Sequence, residues 1–193
     1  MKISFVSDNF SNNDCFSATS PKNRDNYLAH IQKLKKIFNE AGINLSTSDI
    51  NKPDLSNAVL QYGLKVKRLK KKDKENYYLI ALESPLIDNA AISTKYHDKF
   101  NKIFTWNDDL IDDKKYFKVN DALVFSSKIL KEFDGKKLCC IIAGNKHSKY
   151  PNDNELYTKK VAFIRWFEKH HIGEFDLYGT GWDDYSFGHS FFR

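Results

Sequence analysis

Cysteine is scarce in this 193-residue chain: Cys15 stands alone, and Cys139 and Cys140 are adjacent. Neighbouring cysteines do not readily bridge each other, no C-x-x-C occurs, and an odd total suits a reducing compartment. A disulfide framework is thereby excluded, and the thiols are expected in the core. Long hydrophobic runs are also missing. The longest, Tyr77 to Leu82 and Leu138 to Ala143, fall far short of the roughly 18 residues that cross a bilayer. The start, Met1 to Val6, turns polar at Ser7 and Asp8, too soon for the apolar segment of a secretory leader, and reads as a first strand. None of the six histidines forms an H-x-x-x-H pair on a convincing helix, which argues against zinc. No serine lies in a G-x-S-x-G context, so a serine hydrolase has no support. Asp108, Asp109, Asp112 and Asp113 match neither an EF-hand nor a D-x-D motif and read as a solvated acidic loop. No metal site is expected.

Aromatic side chains, by contrast, are plentiful. They make up 15% of a chain whose mean hydropathy is −0.60, and so much ring surface argues for a folded globule and against disorder. The formal net charge of +6 is carried by one short run, Lys65, Lys67, Arg68, Lys70, Lys71, Lys72 and Lys74 against Asp73. Such a run is most simply a solvated loop or helix end; it also offers a peripheral contact with an anionic membrane surface. No aromatics interleave with it, and no helix-turn-helix, RNA-binding signature or zinc-finger spacing occurs, so nucleic acid is disfavoured as a partner.

Hydrophobic periodicity organises the chain into strand-helix-strand cycles. Lys2 to Ser7 reads as a strand and the polar stretch to about Asn26 as a loop. From Tyr27, a helical stripe of Leu28, Ile31, Leu34, Ile37, Phe38 and Ala41 stops at Gly42, and Ile43, Leu45 and Thr47 alternate as a strand. Residues 57–63 read as a strand, Tyr77 to Leu82 as a doubly buried strand, 87–102 as a helix and 103–106 as a strand; 107–136 read as a connection. A second unit opens with a buried strand over 137–143, a helix over 155–170 with Leu156, Val161, Ile164, Trp166 and Phe167 on its apolar side, and a strand at Phe175 to Tyr178. This alternation is the pattern of an α/β fold with a parallel sheet. The expected domains are residues 1–125 and 126–193, the second too short to cover a parallel sheet on both faces.

Glu83 stands where a buried strand meets a loop. In an open parallel sheet, ligands bind outside the carboxyl ends of the strands, so a carboxylate there can act as general base, or simply cap a helix or pair with a cation. Ser84-Pro85 would fix the turn. Asn145 to Lys149 follow the first strand of the second unit, and Lys159, Lys160 and Arg165 lie on the next helix; basic residues at the mouth of a sheet can hold a nucleotide diphosphate or decorate a surface.

Three stretches carry a resemblance. They are Ala81-Leu82-Glu83-Ser84-Pro85 followed by Lys99 to Trp106; Leu138 to Lys146, ending Ala143-Gly144-Asn145-Lys146; and Phe175-Asp176-Leu177-Tyr178-Gly179-Thr180-Gly181-Trp182. In order and spacing, residues 77–182 resemble glycosyltransferase family 10, the α-1,3-fucosyltransferases. The resemblance implies a GT-B arrangement, with a Rossmann-like N-terminal acceptor domain and, here, an incomplete Rossmann-like donor domain. It implies metal-free, inverting transfer of fucose from GDP-fucose to an N-acetylglucosamine or glucose hydroxyl of a cell-surface glycan, on proteins or lipopolysaccharide. No cofactor is implied beyond the sugar nucleotide. Glu83 falls at the family's catalytic base, Asn145 in its donor loop, and Lys160, with Arg165 beyond it, at its phosphate-binding arginine. Lysine brings a point charge without a bidentate fork. The family's later segment, which joins an E-N pair to a Y-x-T-E-K stretch, does not follow the third of these stretches, so the chain is expected to be a truncated enzyme, inactive alone and cytoplasmic, at most peripheral to the inner face of a membrane. A non-catalytic glycan-binding module and a relative using another sugar nucleotide are the rival readings.

Overall fold

Alternation puts Ile3 and Phe5 on one side of the first strand, β1 (Lys2–Val6), and Ser4 and Val6 on the other, and all four are buried. A strand buried on both faces belongs inside a parallel sheet covered above and below. The computed structural model, which describes residues 1–64, 74–86, 93–120, 132–148 and 152–182, has this arrangement. Alongside β1 lie β2 (Asn44–Thr47), β3 (Ala58–Tyr62), β4 (Tyr77–Ala81), β5 (Lys102–Thr105) and β6 (Tyr116–Lys118), in the order β2-β1-β3-β4-β5-β6, every neighbouring pair parallel. The chain divides into two compact units, Met1–Ser127 and Lys128–Arg193, and this sheet is the frame of the first.

On one face of the sheet, Ile3, Phe5, Leu45 and Leu60 pack with Leu28 and Ile31 of the helical segment that includes α1 (Ala29–Glu40). Gly42 ends that helix at φ +69, where the amide of Ile43 donates to Phe38 O (2.8 Å) and that of Gly42 to Asn39 O (3.0 Å). These paired bonds meet the carbonyls a helix end would otherwise orphan, in a conformation glycine enters without strain. The opposite face buries Val6, Val59, Tyr77, Leu79 and Ile103 with Phe100. Cys15 lies in the first core, and burial raises its thiol pKa to about 12, leaving it protonated and inert.

Several expectations need correction. The helix over 87–102 is, among the described residues, one turn, α2 (Thr94–His97); beyond it Phe100 turns into the core and the amide of Asn101 donates to Tyr77 O at 2.7 Å, which ends any helix there. The connection over 107–136 contains β6, paired with β5 from Ile103↔Tyr116 to Thr105↔Lys118.

Among its described residues, the second unit contains β7 (Cys139–Ile142), α3 (Tyr157–His170) and β8 (Phe175–Tyr178), the strands parallel from Cys139↔Phe175 to Ile142↔Tyr178. Ile164, Leu177 and Trp182 form its core, with Ile141, Val161 and Phe175 around them. β7 is not a buried strand. The helix covers one face, so Cys139 and Ile141 are half-buried while Cys140 and Ile142 face water, Ile142 at 80% exposure. Cys139 and Cys140 are accordingly not core thiols, and Leu156 and Trp166 lie outside the packed side of α3.

Candidate functional site

The chain runs from β1 outward to β2, then returns to the other side of β1 with β3, so the strand order of the first unit reverses between β1 and β3. Crevices at such reversals, outside the carboxyl ends of the strands, are where open parallel sheets hold ligands. β4 is the next strand beyond β3. Its last residue, Ala81, pairs with Thr105, and Glu83 follows two positions on with its side chain exposed. Among the described residues Glu83 has neither a hydrogen-bond nor an ion-pair partner, so it is neither a cap nor half of a salt bridge there.

The loop after β1 is strapped to the end of β2. The amide of Asn13 donates to Thr47 Oγ1 (3.0 Å), and that of Thr47 donates to Asn13 Oδ1 (2.8 Å). Lys22 pairs with Asp14 at 2.6 Å in the same loop. A cavity of about 320 Å³ opens there, lined by Lys22, Arg24, Asp25 and Tyr27. No periodicity or motif in the sequence signals it, because it is made by loop backbone, with Asp25 and Asn26 both at positive φ. At the end of β3, Tyr62 Oη lies 3.4 Å from His30 Nε2.

In the second unit, the two glycine-bearing loops past β7 and β8 clasp one another. The amide of Ala143 donates to Tyr178 O and that of Asn145 to Thr180 O, both at 2.8 Å. Asn145 Nδ2 donates to Gly181 O (2.8 Å) and Trp182 Nε1 to Ala143 O (2.7 Å). Lys160 reaches this clasp from α3: Nζ donates to Gly144 O at 2.8 Å and lies 5.6 Å from the centre of the Trp182 ring. Burial, and then the neighbouring Lys146 ammonium, hold Lys160 below the ordinary lysine pKa. Two cations therefore stand beside Asn145, whose buried Oδ1 has no hydrogen-bond partner among the described residues. An anion arriving here would relieve the repulsion between the ammoniums, and a hydroxyl would satisfy the amide oxygen.

The structure thus brings Asn145 and Lys160 together, and leaves Arg165 apart from them. Arg165 lies about 140° around the helix from Lys160 and forms an ion pair with Glu168 on the same helix. The opening amides of α3 are not free to bind an anion either. Glu155 Oε2 accepts from the amide of Tyr157 at 2.7 Å, and both carboxylate oxygens accept from that of Thr158 at 3.2 Å. A carboxylate of the chain already occupies the positive end of the helix. The sequence pattern starts the helix at Glu155 itself, and an acid in a first turn does not distinguish a cap from a solvated side chain; α3 begins two residues later.

Hydrogen bonds, from the Thr158 hydroxyl first and then from the amides of Thr158 and Tyr157, hold the Glu155 carboxyl below its ordinary value of 4.5. A depressed carboxylate contributes stability that is complete above its unfolded value and disappears as pH falls through the folded one. Glu155→Gln is therefore expected to lower the melting temperature at pH 7 and to flatten its dependence on pH below about 4.5, read by calorimetry from neutral to acid. Parallel wild-type and variant curves would show that the cap does not titrate with folding.

The basic run Lys65, Lys67, Arg68, Lys70, Lys71 and Lys72 lies outside the described residues. Within them, no group of three or more His, Cys, Asp or Glu side chains is placed to hold a metal, and no helix is long and apolar enough to cross a membrane. Comparisons with protein-family models, with curated proteins and with solved structures find no match to this chain.

Proposed function

We propose that the chain is part of a sugar-nucleotide-dependent glycosyltransferase of the fucosyltransferase kind, moving fucose from GDP-fucose to a hydroxyl of an N-acetylglucosamine or glucose unit with inversion at the anomeric carbon. The observation that carries this reading is Glu83, an exposed carboxylate without a partner among the described residues, just past the carboxyl end of a central parallel strand and followed by Ser84-Pro85.

In this reaction Glu83 accepts the proton of the acceptor hydroxyl as its oxygen bonds to C1 of the fucose. The bond from C1 to the phosphate oxygen breaks, and GDP leaves with the electron pair. The Lys146 and Lys160 ammoniums take up charge on the leaving diphosphate, a role that needs no metal, and Asn145 Oδ1 accepts a donor hydroxyl. A GT-B arrangement and work at the cytoplasmic face of a membrane on cell-surface glycans belong to the same proposal.

The test uses an enzyme of this kind that also carries the family's later segment with its Y-x-T-E-K stretch, which these 193 residues lack. GDP-fucose is expected to bind and be consumed, and Lys160→Ala to weaken donor binding about tenfold, the effect of one lost charge-assisted contact. Transfer from another sugar nucleotide in a donor panel would move the reading to a relative of different specificity. Glycan binding on an array without any sugar-nucleotide binding by calorimetry would replace it with a non-catalytic module.

A further inference from the structure

The outward face of α3 carries chemistry that sugar transfer does not use. Buried Ile164 fixes which side of the helix faces β8. With about 100° of turn per residue, Lys159, Phe163, Trp166, Lys169 and His170 fall in a stripe on the opposite side. Phe163 is 46% exposed and Trp166 is 50% exposed, large values for rings on a helix that already has a packed face. They are also held in place. The Phe167 ring lies 4.6 Å from Phe163 and 5.0 Å from Trp166, and His170 and His171 each lie 5.2 Å from Trp166. Rings already fixed by neighbours have little rotamer freedom left to lose on docking.

Charge on the helix is segregated as well. Its one carboxylate, Glu168, is only 12% exposed and paired with Arg165. The stripe itself holds two lysines, a histidine and no acid. We infer that this face of α3 docks on an anionic lipid surface, with Phe163 and Trp166 entering the boundary between headgroups and acyl chains and Lys159 and Lys169 meeting acidic headgroups. An amphipathic helix lying in the interface plane uses this combination of aromatic residues and cations. Charge complementarity favours such a surface over a second copy of the chain, because a two-fold contact through this stripe would bring like ammoniums together without a counter-ion. The stripe contains none of the residues assigned to sugar transfer, Glu83, Asn145, Lys146 or Lys160, so this docking stands or falls separately from the proposed function.

The experiment sediments the full chain with vesicles of phosphatidylcholine alone and of phosphatidylcholine mixed with phosphatidylglycerol, at low salt. Binding to the mixed vesicles only is expected. The double replacement Phe163→Ser with Trp166→Ser should lower it about tenfold, the scale of two half-buried rings lost from an interface, and Lys159→Glu with Lys169→Glu should lower it similarly. Circular dichroism checks that each variant is folded, and the lysine pair gives an independent reading if the aromatic pair is not. Brominated lipids should quench tryptophan fluorescence in a Trp106→Phe chain, and a further Trp166→Phe replacement, which leaves only the buried Trp182, should abolish that quenching. Wild-type protein that ignores anionic vesicles, or binding that survives both double replacements and disappears only when the lysines of residues 65–74 are neutralised, overturns the docking. A dimer that the aromatic pair converts to monomer without change in vesicle binding overturns it in favour of self-association.

Discussion

Glu83→Gln in the complete enzyme is expected to lower the rate of sugar transfer by about a hundredfold or more, while donor affinity stays unchanged. Glutamine preserves size and polarity but cannot accept the acceptor's proton. The exposed side chain has no partner among the described residues, so its replacement breaks no contact there and the melting temperature should hold. Single-turnover transfer, with donor binding measured by calorimetry on the same variant, separates the chemical step from binding. Near-normal transfer would remove Glu83 from the mechanism. A fall in stability with transfer intact would assign it a structural role.

The largest effect on folding is expected from Gly179→Ala. A Cβ at this position would lie 2.1 Å from Ala143 O and 2.6 Å from Ala143 C, on a residue with φ +138. Backbone stands in the way, so relief requires the ends of β7 and β8 to part, with loss of the Ala143-to-Tyr178 and Trp182-to-Ala143 hydrogen bonds. The comparison is Gly42, where φ is +69 and nothing lies within 4 Å of an added Cβ. An alanine there meets only the conformational penalty of about 1 kcal/mol, whereas Gly179→Ala should cost more than about 4 kcal/mol. Hydrogen exchange should show amides of residues 139–178 losing protection while those of the six-stranded sheet keep theirs. Retained protection in both would mean that the loop ends separate without penalty.

How much of this was legible in the sequence depended on whether a pattern was long enough to declare itself. α1 was, because its apolar stripe spans three turns and stops at a glycine. β1, β3, β4 and β5 announced themselves as short apolar runs between polar breaks. β6 did not: three residues, Tyr116-Phe117-Lys118, show no period, and only their pairing with β5 makes them a strand. The apolar run at β7 misled in the other direction. Hydrophobicity says what a strand can bury, but whether a second layer exists to bury it is decided by other segments. Within the candidate site, Glu83 could be picked out because a carboxylate at a strand-to-loop junction is a local feature. Position alone suggested Asn145 to Lys149 and Lys160 as an anion site, but the clasp of Gly144 and Asn145 against Gly179 to Trp182 was not legible, since the two loops are separated by the whole of α3 and β8. Glu155 was missed because its value lies in which amides it reaches.

Among the described residues, both margins of the six-stranded sheet carry features that hinder recruitment. At β2, the Leu45 carbonyl accepts from the Lys35 ammonium and the Thr47 amide is taken by Asn13. At the other margin β6 is three residues long and finishes in Lys118, which is anchored to Asp108 and to the Trp106 carbonyl. Bare strand borders are the usual templates for intermolecular β-pairing, and brevity, occupied backbone groups and terminal lysines are what frustrate it. Concentrated solutions of the first unit should accordingly resist conversion to fibrils, even though β3 and β4 alone would make apt fibril seeds.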